Sequence, residues 1–218
     1  ADANGPNGTG SINIGSATTV GGLVVSNQAI TLKAANLVID PPQASPTVNA
    51  GTTTGQVNIF TSQPATATIG VGTATGTLTV SNAELGKIAA KTLVIGDSTA
   101  QVGNITFKGA TPVTGRNVTA AQLVSGAGTI VLDDTANTVV PLTTGAGDIS
   151  LSAGTGGITA NATNSTAEFS TTTGTVTLNT SGPIGTSTNR IQFSATTVPV
   201  VGDVTQPLPI DWEARLPD

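Results

Sequence analysis

The sequence predicts an all-β protein: a right-handed parallel β-helix of about nine coils, followed by an extended C-terminal tail. Three observations lead there. The composition favours pleated backbone, one short strand motif returns at a near-constant interval, and no segment competes seriously as a long helix. Of 218 residues, 37% are hydrophobic, 9% charged and 2% aromatic, with 27 glycines and 12 prolines. Threonine alone is about a fifth of the chain, and Thr, Val and Ile are stiff at χ1 and pack well on a pleated surface. The length suffices for one domain with a substantial core.

The motif reads glycine, any residue, aliphatic, polar, then aliphatic or Phe. It occurs at Gly10–Ile14, Gly55–Ile59, Gly76–Val80, Gly103–Phe107, Gly128–Leu132, Gly147–Leu151 and Gly174–Leu178. Copies without the glycine stand at Gln28–Leu32 and Asn189–Phe193, and successive copies start 15 to 27 residues apart. Each copy alternates with period two, as a strand with one buried face does. Weaker apolar beats lie between them, at Leu37–Ile39, Leu93–Ile95, Val139–Val140 and Ile158. An antiparallel sandwich has no need to reuse one strand at a steady interval, whereas a solenoid stacks its equivalent strand on the last one. Nine copies, read as one per coil, give a rod on the order of 40 Å long at ~4.8 Å per coil. The segment Asn82–Lys91 has helical spacing but a central glycine, and reads as a turn or single helical turn at a coil corner.

Absent residue types exclude whole classes of chemistry. The chain has no Cys, His, Met or Tyr, so disulfides, thiolate nucleophiles, zinc fingers and a Ser-His-Asp triad are not available to it. The missing Met at position 1 points to a processed product or a piece of something longer. No hydrophobic run reaches spanning length, so the expectation is a soluble or exported chain without membrane insertion. The net charge of −5, with seven thinly spread basic residues, argues against a nucleic-acid partner.

Other features have plain structural readings. Asp133 and Asp134 are the only adjacent acids, and they read as a turn or as side chains on opposite faces rather than as a paired-carboxylate site. Glu84, Asp97, Asp148, Glu168 and Asp203 are scattered at one per coil or fewer. Gly154–Gly157 supplies no acid for a calcium roll, and Gly126–Gly128 and Gly145–Gly147 lack the Lys and helix of a phosphate loop. Sequons at Asn7, Asn104, Asn117, Asn161, Asn164 and Asn179 are what abundant threonine produces by chance. Thr-x-Thr pairs drift in register and read as ordinary β-propensity, not as an ice-binding ladder.

The stretch Leu78–Asp97, Leu-Thr-Val-Ser-Asn-Ala-Glu-Leu-Gly-Lys-Ile-Ala-Ala-Lys-Thr-Leu-Val-Ile-Gly-Asp, resembles the repeat phrase of large filamentous-haemagglutinin-type exoproteins. Those are the passengers of two-partner secretion in Gram-negative bacteria. Val102–Phe107, Ile130–Asn137 and Ile184–Gln192 are similar in style and order, so the resemblance covers about 76–193. It implies a right-handed β-helix exported to the cell surface, with adhesive or structural roles. Members of that family start with a secretion domain marked by Asn-Pro-Asn signatures, of which Asn4–Gly8 is an echo.

The organisation expected is an N-terminal segment 1–10, flexible or partner-bound, a solenoid over 11–197 and a Pro-rich tail over 198–218. A solenoid has two open ends and stacks end to end unless they are capped. The tail carries Leu208, Ile210, Trp212 and Leu216, which either dock on the next subunit or fold back along the tail's own coils. Docking between subunits is head-to-tail and makes a filament. The expectation is therefore a non-enzymatic, secreted structural protein without cofactor or metal. Its partner is itself, as a homopolymer, with cell-surface glycans or proteins as further candidates. The alternative is a segment of a large haemagglutinin-like adhesin that binds host or cell-surface ligands.

Overall fold

Alternating side chains decide which surface each strand buries, and here they point inward in columns. The structure, a computed structural model, describes residues 10–15, 22–39, 47–136, 138–162 and 166–193, together with the backbone of 199–201. Within these residues every strand pairing is parallel. The first sheet stacks Ala29–Ala34, the C-terminal half of Val48–Thr61, Ile88–Ile95, Asn117–Ala121, Ile149–Ala153, Val176–Thr180 and Pro199–Val201. The second stacks Leu78–Val80, Ile69–Gly72, Ile105–Lys108, Thr129–Leu132 and Gly157–Ala160. A third side is shorter, with Leu142–Gly145 on Phe169–Thr171 and single bridges to Ala110 and Phe193. Parallel strands joined by crossovers into three sides make a β-solenoid.

Register turns the alternation into a core. Ile30, Val57, Leu93, Val118, Ile149 and Val176 are successive partners in the first sheet, and all are buried. In the second sheet Ile69, Ile105, Ile130, Ile158 and Ile184 form a column of stacked isoleucines. Ala110, Leu142, Phe169 and Phe193 close the third side, where the rings of Phe169 and Phe193 lie 5.5 Å apart at 31°. The outward column of the first sheet is Thr31, Asn58, Val94, Thr119, Ser150 and Thr177. Burying aliphatic columns against each other is worth roughly 25 cal/mol per Å² of apolar surface removed from water.

The coil count differs from the expectation. Seven rungs of the first sheet enclose about six turns, not nine coils. Partners Ala29, Gln56, Thr92 and Asn117 set steps of 27, 36 and 25 residues. The motif is not a once-per-coil mark, because any side of the coil needs inward alternation and a tight corner. Four copies serve the first sheet and three the second. Another forms the Ser11–Ile14 strand that pairs with Asn36–Ile39, and the last reaches the third side at Phe193. The motif glycine answers to a close approach: a Cβ at Gly103 or Gly147 would overlap the carbonyl of Ala67 or Arg116 in the preceding turn.

The longest turn, from Gln56 to Thr92, holds an insertion. After Ile69–Gly72 the chain comes back to lay Leu78–Val80 beside it in parallel, and then enters a four-residue helix, Asn82–Leu85. Ser81 caps that helix and Glu84 bonds back to the Ser81 amide, a capping box. A single helical turn was expected here, and it is shorter than the Asn82–Lys91 segment because strand resumes at Ile88.

Corners between the first two sheets hold buried amides. Gln101 and Gln122 are fully buried, and their Nε2 groups donate to Gly103 O at 2.7 and 2.9 Å. Gln122 also donates to Thr129 O and accepts from Gly154 N, while Thr180 donates to Gly154 O. Each amide satisfies backbone groups that the strands leave unpaired as they bend. Gln122→Leu is expected to lose about 2 to 3 kcal/mol of stability by stranding these groups, read as a lower urea midpoint at unchanged m-value.

Candidate functional site

Two places in the fold carry more than packing. The first is the N-terminal end of the solenoid. Among the described residues, Ala29–Ala34 pairs on one side only, with Val48–Thr61, and Ser11–Ile14 pairs only with Asn36–Ile39. Their outer edges, and that of Pro199–Val201 at the other end, have no described strand beside them. An open recess of about 450 Å³ lies between Ile12, Ile14, Leu23 and Leu32. Leu23 is 42% exposed and Val24 70% exposed beside it, so apolar surface and an open sheet edge coincide at this end.

The second place is a buried pair of acids that sequence spacing did not bring together. Asp133 and Asp134 leave the Thr129–Leu132 strand on opposite sides. Asp133 faces outward, 3.1 Å from Lys108 Nζ across one turn, and accepts from the hydroxyl and amide of Thr135. Burial alone would raise its pKa, but the Thr135 bonds and the Lys108 charge outweigh that and hold it below the usual carboxylate range. Asp134 turns inward, 1% exposed, and accepts from the amides of Asn161 and Ala162 in the next turn, at 2.9 and 2.8 Å.

Glu168, which precedes Phe169 on the third side, meets Asp134 there. It is fully buried, its Oε2 accepts the Gln192 amide, and its carboxyl lies within interaction range of Asp134. Its Oε1 has no N–H or O–H donor aimed at it. Two ionised carboxylates in one buried site repel, which favours the protonated form of one of them. Burial above all, and the neighbouring Asp134 charge, push Glu168 up to about 8. The pair is shut away from solvent, so its chemistry is retention of a proton inside the fold. Nothing on the strand pattern marks it, since Asp134 and Glu168 are brought together only by the stacking of successive turns.

The residues expected to make subunit contacts, Leu208, Ile210, Trp212 and Leu216, lie outside the described residues. Among the described residues no group of three or more acids could hold a metal ion, and no helix is long and apolar enough to cross a membrane. No family model matches the chain, and no curated protein or solved structure matches it.

The acid pair sets a pH dependence. A carboxyl raised from 4.5 to about 8 in the fold keeps its proton while the unfolded chain releases it. Stability is therefore complete below pH 4.5 and declines as the pH rises through 8. By pH 7 the loss is on the order of 3 kcal/mol. Glu168→Gln can still accept the Gln192 amide and carries no charge. It is expected to flatten this slope and to exceed the wild type in melting temperature at pH 8, as differential scanning calorimetry from pH 4 to 9 will show.

Proposed function

We propose that this chain is a non-enzymatic extracellular structural protein, a β-solenoid subunit that stacks head-to-tail into a surface fibre. The observation that carries the reading is the coincidence, among the described residues, of parallel edges without a neighbouring strand at both ends and exposed Leu23 and Val24 at one of them. An unpaired edge is a template for another strand, and an uncovered apolar end costs free energy until it is covered. Joining one end to the different surface at the other does not close on itself, so it propagates into a filament. The winding is taken as right-handed, as parallel crossovers overwhelmingly are. In this reading the C-terminal segment with Leu208, Ile210, Trp212 and Leu216 contacts the neighbouring subunit.

A second reading rests on Leu78–Asp97, the stretch that resembles haemagglutinin-type repeats. It folds as a strand, a capped helical turn and a rung of the first sheet. On this reading further coils of a longer secreted adhesin pair the open edges, and its outer surface meets cell-surface ligands.

Electron microscopy of the purified chain at neutral pH tests the first reading, beside a version ending at Thr197 and a Val24→Lys variant. Long unbranched fibres are expected from the intact chain, and short monodisperse rods from the other two. Rods from all three would remove the polymer and leave the adhesin segment.

A further inference from the structure

The ladder above Ile88–Ala90 is interrupted at one level, and an arginine occupies the interruption. Ile88–Ala90 pairs below with Val48–Gly51. Above, the regular pairing of this strand begins only at Thr92, with Asn117. The chain at 112–116 is irregular, and Gly115 bonds instead to Thr144 O at 3.0 Å. Arg116 fills the gap from the side: its guanidinium donates to the carbonyls of Leu85, Ile88 and Ala90. It serves two strand carbonyls, of Ile88 and Ala90, and the carbonyl of Leu85 at the end of the short helix.

This plug is chemically unbalanced. Arg116 is 4% exposed, and the one ion pair among the described residues is Lys108–Asp133, so no described carboxylate neutralises it. Buried charges are ordinarily paired, because removing an ion from water costs several kcal/mol. Carbonyl oxygens account for three of the five guanidinium N–H groups and supply no net charge. Beside the plug lies a groove of about 420 Å³, lined among others by Thr52, Ile88, Lys91, Val113 and Arg116. Its lining contains two basic residues and no acid, on a chain whose net charge is −5. Its volume accommodates a monosaccharide-sized ligand.

We infer that this groove binds an oxyanion, a carboxylate or sulfate group, free or carried on a sugar, with Arg116 at its floor and Lys91 at its wall. The bound anion supplies the missing counter-charge, and the side chains of Thr52 and Val113 border the remainder of the ligand. The site is independent of whether the solenoid polymerises. Its charge balance also separates it from a purely structural plug, for which the three carbonyl bonds are the whole role.

The test is titration of the intact ¹⁵N-labelled chain with sodium glucuronate, sodium sulfate and neutral glucose at constant ionic strength. The readouts are the Arg116 Nε–H resonance and calorimetry. Saturable movement of that resonance by glucuronate or sulfate, and none by glucose, is expected. Tighter binding of glucuronate assigns a sugar acid, and tighter binding of sulfate an inorganic or ester sulfate. Lys91→Gln is expected to weaken binding several-fold to tenfold, and Val113→Trp, which puts a large ring into the groove lining, to abolish it. No saturable shift with either anion, or unchanged binding in Val113→Trp, would overturn the site. Neither variant removes a carbonyl bond of Arg116, so the result does not depend on a destabilised fold.

Discussion

Hydrogen bonds between successive rungs hold neighbouring strands at about 4.8 Å, and that one spacing constrains every other choice in the molecule. An inward side chain must pack against the residue in the same register one turn away, which is why isoleucine recurs from Ile69 to Ile184 and branched aliphatics from Ile30 to Val176. At corners the same spacing brings carbonyls against the next turn, leaving no room for a Cβ at Gly103 or Gly147. Outward positions are free of packing demands, and they are occupied by small polar residues such as Thr31, Thr119, Ser150 and Thr177.

Polar groups enter the interior only where the ladder bends. Gln101, Gln122, Thr144 and Thr180 each give a donor to a corner carbonyl, so an otherwise aliphatic core carries its amides and hydroxyls at the vertices. The charged groups follow the same geometry with different outcomes. Arg116 answers carbonyls, Asp134 answers the amides of Asn161 and Ala162, and Glu168, buried near Asp134, holds its proton. Burial at a vertex thus moves ionisation in opposite directions, raising the Glu168 carboxyl to about 8 and lowering the Arg116 guanidinium to about 10 by desolvation.

Much of this architecture was legible in the residues, because period-two alternation and corner glycines are local signals. Solenoid class, the turn role of Asp133 and the short helix after Ser81 all rest on such signals. The number of turns was not legible from them. The alternating motif serves whichever side of the coil it falls on, and rungs such as Thr92–Ile95 and Asn117–Ala121 lack it. Asp134 with Glu168, and Arg116 with Leu85 and Ala90, depend on which residues a turn of 25, 31 or 36 residues sets above one another. That arithmetic is decided by insertions such as Leu78–Val80, which no local pattern measures.

The unequal lengths of the turns give the rod a mechanical character of its own. Inter-rung hydrogen bonds run along the solenoid axis, so tension applied end to end loads them directly and detaches one coil at a time. A released turn of 25 residues adds about 85 Å of slack and one of 36 residues about 120 Å, at the extension limit of the chain. Under load such a rod lengthens in discrete steps of different size, each dissipating work, and yields gradually where a rigid rod of the same length would snap.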